Sequence, residues 1–264
     1  MAKPIDSRVI GIFSAKGGVG KTTSTLLLGM ALSKIGKDVL IVDGNISSPN
    51  IANWLGISPD KHFHGALNNE YPILEAVFPH ETGLLVIPGS SRINYLTTLD
   101  LFSIEPIIQR LKDYSEIILI DTPPGRGEEV AAIARGVDEA IIIVNPEEIS
   151  INNGLIIKEL LKKLNKRILG VIVVENKKYP KKIDKKEIAE KIGERIIGYI
   201  PFHKDILKAA MESNPFMLSK PKKIWNAYLE VVARLLGPTE LERMLREDRK
   251  NPYLKYIKKN LGLK

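Results

Sequence analysis

Residues 15–23 read AKGGVGKTT, and this glycine-rich stretch is the strongest fold signal in the chain. The residues before it, 8–13 (RVIGIF), form an apolar and β-branched run that predicts a buried strand. The residues after it, 22–35, place apolar side chains at helical spacing, and Gly36 follows as a C-terminal cap. A strand, a glycine-rich turn and a helix in this order predict a loop that binds the phosphates of a nucleoside triphosphate.

The residue types in this loop have distinct chemical roles. The glycines let the backbone curl so that successive N–H groups point at phosphate oxygens, and the positive end of the following helix adds to that attraction. Lys21 is expected to bridge the β- and γ-phosphates, and the Thr22 hydroxyl to ligate Mg²⁺. Ala15 stands where the general pattern G-x-x-x-x-G-K-[ST] has its first glycine. The predicted nucleotide-binding residues of the loop are Gly17, Gly18, Val19, Gly20, Lys21, Thr22 and Thr23.

Lys16 is an additional lysine ahead of Lys21, and by itself it could be a solvated surface side chain. The segment 16–23 (KGGVGKTT), however, resembles the deviant Walker A motif of the MinD/ParA family of P-loop ATPases. The resemblance extends from about residue 8 to about residue 237 and is closest to MinD-type members. Five further segments resemble the family in its own order: IVDGNISSPN at 41–50, VIPGSS at 86–91, IILIDTPPG at 117–125, IIIVNPEEISINN at 141–153 and IPFHKDILKAAMESNP at 200–215.

The resemblance implies a homodimer that forms when ATP is bound. In that family the first lysine reaches across a face-to-face dimer to the partner's nucleotide, which implies this role for Lys16. It also implies that residues 41–50 and 117–125 are the two switch segments, and that Asn50 is the family's switch asparagine.

Asp121 ends the apolar run IILID and is followed by two prolines and Gly125. A carboxylate at a strand end beside a phosphate loop can hold the hydration shell of Mg²⁺, whereas the alternative is an Asp that caps the next helix. Gly125 would let the backbone approach the γ-phosphate. Asp43 ends an earlier strand, and with Thr22 and Asp121 it completes the predicted magnesium residues.

Asn45 departs from the family pattern, which usually has Asp-x-Asp at the first switch. The second Asp orients or activates the attacking water, and an asparagine can accept a hydrogen bond but cannot take up a proton. Such a loss slows hydrolysis by ~10²–10⁴-fold on the scale of general-base catalysis. We therefore expect tight ATP binding and slow hydrolysis to ADP and phosphate, with Lys16, Lys21, Asp43 and Asn45 as the catalytic residues. Asn45 is either natural or a change engineered to trap the ATP state.

The adenine contacts implied by the resemblance follow two predicted strands. Glu175 and Asn176 come after the run GVIVV, and Pro201 and Phe202 come after GYI. Their register is open, because the first spacing is two residues longer than in the family. His203, where the family often has Asp, is expected to be structural.

Composition predicts an α/β fold. A chain of 264 residues with 44% hydrophobic content can bury one large core, and no linker-like composition occurs within residues 1–237. Uninterrupted apolar runs such as IILI are typical of strands covered on both faces. We therefore expect a single-domain, mostly parallel sheet with helices on both faces over residues 1–237, and a helical basic tail over 238–264. Strands are predicted at 8–13, 38–43, 84–88, 116–121, 139–144, 168–174 and 195–200.

Two absences narrow the class of protein. The sequence has no cysteine, which excludes disulfides and thiolate metal sites, including the cysteine pairs of nitrogenase-reductase-like proteins and typical iron–sulfur carriers. Its apolar runs are too short for a transmembrane helix, and its first residues lack a signal-peptide core. The expected location is cytoplasmic.

The net charge of +8 is consistent with nucleic acid, with an anionic membrane or with a solvated exterior. One basic cluster lies in a loop between a predicted strand and a helix, and a solvated loop is its default interpretation. Its lysines are Lys177, Lys178, Lys181, Lys182, Lys185 and Lys186.

The tail from Asn251 is the second basic segment. Tyr253, Leu254, Ile257 and Leu261 share one helical face. The lysines beside that face are Lys255, Lys258, Lys259 and Lys264. The tail resembles the short amphipathic helix by which MinD-type proteins bind the inner face of the cell membrane. The alternative is that the same apolar face packs against the chain's own domain.

The function expected from these features is that of a nucleotide-switched, Mg-dependent ATPase of MinD type, acting in spatial positioning or regulation, with a protein regulator as a further partner. The first alternative is a ParA-like partition protein that binds DNA in an ATP-dependent way. The second is a near-inactive ATP-binding scaffold, and the third is a ligase or synthetase built on the same loop.

Overall fold

The computed structural model describes residues 7–92, 95, 100–212 and 214–261, with Ala210, Pro215, Phe216 and Leu261 described by their backbone only. Within this part of the chain, eight strands form one sheet. They are β1 (Arg8–Phe13), β2 (Val39–Asp43), β3 (Phe78–Pro79), β4 (Leu85–Ile87), β5 (Ile117–Asp121), β6 (Glu139–Val144), β7 (Arg167–Val174) and β8 (Ile196–Ile200). All except β3 match the predicted strands to within one residue at each end.

Eleven α-helices occur in the described residues. They are α1 (Lys21–Lys34), α2 (Ile51–Leu55), α3 (Phe63–Leu67), α4 (Ile104–Gln109), α5 (Glu128–Gly136), α6 (Glu148–Lys163), α7 (Lys185–Ile192), α8 (Asp205–Met211), α9 (Lys222–Leu236), α10 (Pro238–Glu247) and α11 (Pro252–Leu261). None of these helices has the length and apolarity that crossing a bilayer requires.

The strand order is β3-β4-β2-β5-β1-β6-β7-β8. Neighbouring strands are parallel except for β3 and β4, which are antiparallel at one edge. The mostly parallel sheet is thus confirmed. β1 lies between β5 and β6, so the glycine-rich loop that follows β1 is at the centre of the sheet's carboxyl edge, where α/β folds bind ligands.

Helices cover both faces of the sheet, which explains the uninterrupted apolar runs. Along β1, Ile10 and Ile12 join a hydrophobic cluster that includes side chains of α1, α9, α10 and α11. Val9 and Phe13 join a second cluster with α3, α4, α5, α6 and α7. Because successive side chains of a strand point to opposite faces, both sets must be apolar when both faces are covered.

The C-terminal segment packs on the fold. Leu254 and Ile257 of α11 are both 1% exposed, and the rings of Tyr253 and Trp225 meet edge to face with centroids 5.8 Å apart. The apolar face of the tail helix therefore packs against the chain's own domain, which is the second of the two alternatives given for it. Lys255 is exposed, as are Lys258 and Lys259; Lys264 and the side chain of Leu261 lie outside the described residues.

Candidate nucleotide-binding site

The loop between β1 and α1 has the backbone shape that its glycines predicted. Gly18 and Gly20 have φ values of +70° and +105°, in a backbone region that residues other than glycine rarely adopt. A Cβ on Gly20 would also lie 3.2 Å from Val174 Cγ1. The N-terminus of α1 has no side-chain cap and no acidic residue in its first turn. Its N–H groups are therefore available to an anion.

Two asparagine side chains hold the loop from outside it. Asn176 Nδ2 donates to Gly18 O at 2.6 Å, and Asn145 Nδ2 donates to Val19 O at 3.3 Å and to Val174 O at 2.7 Å. These bonds fix the orientation of two consecutive peptide planes, since C=O and N–H of a trans peptide point in opposite directions. No role was predicted for Asn145. In the sequence it is recognisable only as a polar residue directly after the apolar run of β6, and the structure buries it.

The magnesium residues predicted at the loop come together. Thr22 Oγ1 donates to Asp121 Oδ2 at 2.5 Å, and Asp121 Oδ1 is buried without a hydrogen-bond partner. A buried acceptor without a partner costs about 1–3 kcal/mol, so this oxygen fits a site that Mg²⁺ and its waters would complete. Burial raises the pKa of Asp121 to about 6, against the opposing effects of Thr22 and Lys21. Burial lowers the pKa of Lys21, whereas the Asp121 charge raises it.

Asp43 is paired with Asp121 in the register of β2 and β5 and is fully buried. Its oxygens accept backbone N–H bonds from Asn45 at 3.3 Å, Asn50 at 2.9 Å and Ile51 at 3.0 Å. Burial, and then the charge of Asp121, raise the pKa of Asp43 to about 7. Asp43 thus holds the backbone of the segment from Asn45 to Ile51, and its role as a metal residue stays a prediction.

Asn45 presents an unused acceptor. Its Nδ2 donates to Ser48 O at 2.5 Å, while its Oδ1 is buried without a partner. The bond to Ser48 uses one of the two N–H donors of this amide and leaves its oxygen as a free acceptor. Asn50 Nδ2 also donates to Ser48 O, at 2.7 Å, so both asparagines shape the same turn.

A cleft of about 580 Å³ lies at the loop and is bordered by part of this set; Asp43, Asp121 and Asn145 are not among its lining residues. Its lining includes Gly17, Gly18, Gly20, Lys21, Thr22, Thr23, Asn45, Asn50 and Asn176 from the predicted set. Gly125 is near the second switch turn but is not among the lining residues; its φ of +105° is the reason for a glycine there, since an added Cβ would meet open space. Trp54, Ile206 and Leu207 also line the cleft and were missed by the sequence analysis.

Lys16 is ion-paired with Glu147 of the same chain, and its side chain is 35% exposed. Lys177 Nζ lies 3.8 Å from the other Glu147 oxygen. The lysine is therefore not simply solvated. The structure contains one chain, and the contact of Lys16 across a dimer stays a prediction.

The predicted adenine residues lie on two sides of the β7 end. Asn176 lines the cleft and also a small apolar hollow of about 20 Å³, walled by Val174, Ile206, Ile224 and Tyr228. A base would have to widen this hollow, which holds about one water molecule. Glu175, Pro201 and Phe202 instead line a separate cavity. The side chain of His203 lies 3.4 Å from Asp205 Oδ2, which agrees with a structural role.

Among the described residues, no group of three or more His, Asp or Glu side chains is arranged to hold a metal ion by itself. Beside the phosphate loop, the structure places the carboxylate of Asp121 and the hydroxyl of Thr22. That donor set suits a cation that arrives with a nucleotide and keeps several waters, as Mg²⁺ does.

Comparison with known proteins agrees with this geometry. The family profile of ParA, described as NUBPL iron-transfer P-loop NTPase, matches residues 6–236. An uncharacterized ATP-binding protein of Methanocaldococcus jannaschii is 30% identical over 255 residues, which cover 96% of each chain.

Two solved structures are similar to the whole fold. The septum site-determining protein MinD of Pyrococcus horikoshii, complexed with Mg-ADP, has a TM-score of 0.83 at 27% identity and covers 87% of this chain and 96% of its own. The MinC:MinD cell division complex of Aquifex aeolicus gives 0.77 at 28% identity, with 88% and 96% covered. Sequence, fold and loop geometry agree, and the chain belongs to the ParA/MinD family of P-loop NTPases.

Proposed function

We propose that this protein is a MinD-type ATPase in which Mg-ATP joins two chains face to face, and hydrolysis or release separates them. Its task would be spatial positioning or regulation in the cytoplasm. The Mg-ADP bound to the Pyrococcus horikoshii relative supports the choice of nucleotide and metal. The MinC bound to the Aquifex aeolicus relative supports a protein regulator as a partner.

The observation that carries this proposal is a pair of buried, unpartnered acceptors beside the phosphate loop. Asp121 Oδ1 and Asn45 Oδ1 both lack hydrogen-bond partners, next to the phosphate-binding Lys21. Asp121 and Thr22 would hold Mg²⁺, which neutralises charge on the β- and γ-phosphates. Asn45 would accept a hydrogen bond from the attacking water and so orient it.

Hydrolysis should be slow, because Asn45 can orient a water molecule but cannot take its proton. Positioning and charge stabilisation supply most of the catalysis of phosphoryl transfer, so the rate falls without vanishing. If the rate of hydrolysis is close to zero, the protein is the near-inactive ATP-binding scaffold that was given as an alternative.

Dimerisation is supported by what surrounds the mouth of the cleft. Leu207 lines the cleft and is 63% exposed, and Ile149, two residues after Glu147, is 68% exposed. A face-to-face partner would cover the apolar side chain of Leu207 at the cleft. Lys16 is paired with Glu147, and a second chain would supply the phosphates that compete with Glu147 for the lysine.

DNA is the second candidate partner, and a basic groove favours it. Arg246, Arg249, Lys255 and Lys258 line a groove of about 550 Å³ between α10 and α11. Such a groove could follow a phosphate backbone in a salt-dependent way. Membrane attachment through α11 would instead require Leu254 and Ile257 to leave their buried positions.

We do not propose iron transfer for this chain, although the matching family profile is described by that activity. The 264 residues contain no cysteine, so they offer none of the thiolates that usually hold an iron–sulfur cluster. The ligase alternative has no second substrate domain to support it within the sheet and its covering helices.

Sedimentation velocity with Mg-ATP, Mg-ADP or no nucleotide tests the proposal. The wild-type protein should be dimeric with Mg-ATP only. Lys16→Ala should remain monomeric, while Lys34→Ala, an exposed lysine of α1, should behave like the wild type. A wild-type protein that stays monomeric with Mg-ATP would refute the dimer.

Parallel arms with duplex DNA and with anionic vesicles separate the partners. ATP-dependent DNA binding that weakens steeply with salt would favour the partition function. Vesicle binding that is lost on deletion of residues 251–264 would favour the membrane.

A further inference from the structure

A second cavity, of about 850 Å³, lies where β7 and β8 end, and we call it the edge cavity. Side chains from the loop after β7, from α7, from α9 and from α11 line it. It shares no lining residue with the nucleotide cleft or with the apolar hollow beside it. The two sites are nevertheless adjacent along the chain: Glu175 lines the edge cavity, and the next residue, Asn176, lines the cleft.

Glu175 is the acidic centre of the edge cavity, and its charge is already satisfied. The residue is 5% exposed. Lys182 Nζ donates to both of its oxygens at 2.8 Å, and the Tyr199 hydroxyl donates to one of them. Glu175 is therefore a structural group that fixes Lys182 and Tyr199, rather than a group that would attract a cation.

The other cations of the cavity are not neutralised in the same way. Lys178 and Lys223 have no ion-pair partner in the described part of the chain, and Lys185 Nζ lies over the Tyr199 ring, 4.6 Å from its centroid. Glu230, the second carboxylate of the lining, lies 3.5 Å from Arg234 Nη2. The cavity thus keeps an excess of positive charge from residues that are far apart in sequence.

The walls between these lysines are aromatic. Tyr179 and Phe202 come from the two strand ends, and Tyr256 comes from α11. Lysine ammonium groups bind phosphate as point charges, and aromatic faces accept planar groups. The volume is in the range of pockets that enclose a small ligand, about 300–1,000 Å³, and is far larger than a phosphate ion needs.

We propose that the edge cavity binds a small organic phosphate, of the class of nucleoside monophosphates, at a site separate from the phosphate loop. The competing explanation is a set of solvated lysines, which the sequence of residues 177–186, the loop after β7 and the start of α7, suggests. The convergence of that segment with Lys223 of α9 around aromatic walls is what only the fold reveals. The proposal does not depend on ATP hydrolysis or on dimerisation.

Calorimetric titration tests the site on protein whose cleft is first saturated with Mg-ADP, with that saturation measured separately. The probes are CMP and inorganic phosphate, which present the same phosphate group with and without a planar base. We expect CMP to bind, and to bind more tightly than phosphate. No CMP binding at millimolar concentration, or equal affinity for both probes, would overturn the proposal.

Lys178→Gln with Lys223→Gln should weaken CMP binding at least about tenfold, since each change removes a charge-assisted contact to the phosphate. These lysines are chosen because their loss leaves Glu175 paired. The matched control is Lys162→Gln with Lys163→Gln, two exposed lysines of α6. Mg-ADP affinity and thermal midpoint should be unchanged in both.

Equal weakening by the control pair would show that only the overall charge attracts CMP, and would refute the site. A cytidine tetranucleotide that binds more tightly than CMP would identify a nucleic-acid strand as the ligand and refute the small-molecule assignment.

Discussion

Lys16 and Glu147 form an ion pair within one chain, with side-chain exposures of 35% and 24%. The resemblance assigns that lysine to the nucleotide of a second chain. The intrachain pair therefore occupies the lysine before a partner arrives. A partly exposed pair of this kind contributes only about 0.2–1 kcal/mol, which a triphosphate can outcompete.

Glu147→Gln should strengthen ATP-dependent dimerisation. Without the carboxylate, Lys16 no longer has to leave an ion pair in either chain, so the dimer dissociation constant should fall by up to about fivefold per pair, or up to about 30-fold for the two pairs of a homodimer. Sedimentation velocity over a concentration series measures this constant. Glu148→Gln, whose carboxylate pairs with Lys191, is the control. Weaker dimerisation of Glu147→Gln would mean that Glu147 itself contacts the partner.

Asn45→Asp should accelerate single-turnover hydrolysis of ATP by ~10²–10⁴-fold, because the new carboxylate can accept the proton of the attacking water. The bond from Asn45 Nδ2 to Ser48 O is lost in this variant, so a small decrease in stability is also expected. Quenched-flow analysis of bound ATP gives the rate. Asn165→Asp, exposed after α6, should leave it unchanged. Equal rates in Asn45→Asp and wild type would show that this position does not limit the chemistry.

Asp121→Asn should stabilise the nucleotide-free protein at pH 8 by up to about 3 kcal/mol, because it removes a charge whose burial raises the pKa to about 6. The same change should abolish Mg-dependent nucleotide binding. Urea unfolding at pH 8 measures the gain, with the exposed Asp60→Asn as control. A destabilised Asp121→Asn would mean that the hydrogen bond from Thr22 outweighs the burial of the charge.

The pH dependence follows from the same two carboxyls. The folded-state pKa values of Asp43 and Asp121, about 7 and about 6, lie above the ordinary value of 3.8. Between these limits the folded state binds more protons than the unfolded state, so the free energy of unfolding should fall as pH rises from about 4 to about 7. Urea titrations across this range test the sign, and Asp121→Asn should flatten the slope.

Leu254→Ala should lower the free energy of unfolding by about 2–5 kcal/mol, because Leu254 is 1% exposed against the main core. Lys255→Ala, one residue further and exposed, should change it by no more than about 0.5 kcal/mol. Urea unfolding of both variants measures the difference. Equal stability of the two variants would mean that α11 is not held on the core in solution and is free for a membrane.

Local patterns were enough to predict much of the fold. The strand β5 is visible in IILID because both of its faces are buried, and the loop after β1 is visible because glycine adopts the positive φ values of Gly18 and Gly20 most readily. β3 was missed because two residues are too few to show a period, and one of them is Pro79.

The fold places some of the predicted site residues in different cavities. Glu175 and Asn176 are adjacent in sequence and were assigned to the same adenine, yet they line different cavities. Asn145 was missed because its partners, the carbonyls of Val19 and Val174, are distant in sequence.

The sequence by itself determined the family, the mostly parallel sheet and the phosphate loop, because each depends on residue type and local spacing. The tertiary structure decided which groups meet: Lys16 with Glu147, the tail helix with α9, and Lys223 with the segment 177–186. These contacts join residues separated by tens to hundreds of positions. The physical reason is that pairing of charges and burial of a helix face depend on what lies opposite in space, which the period of a single segment does not contain.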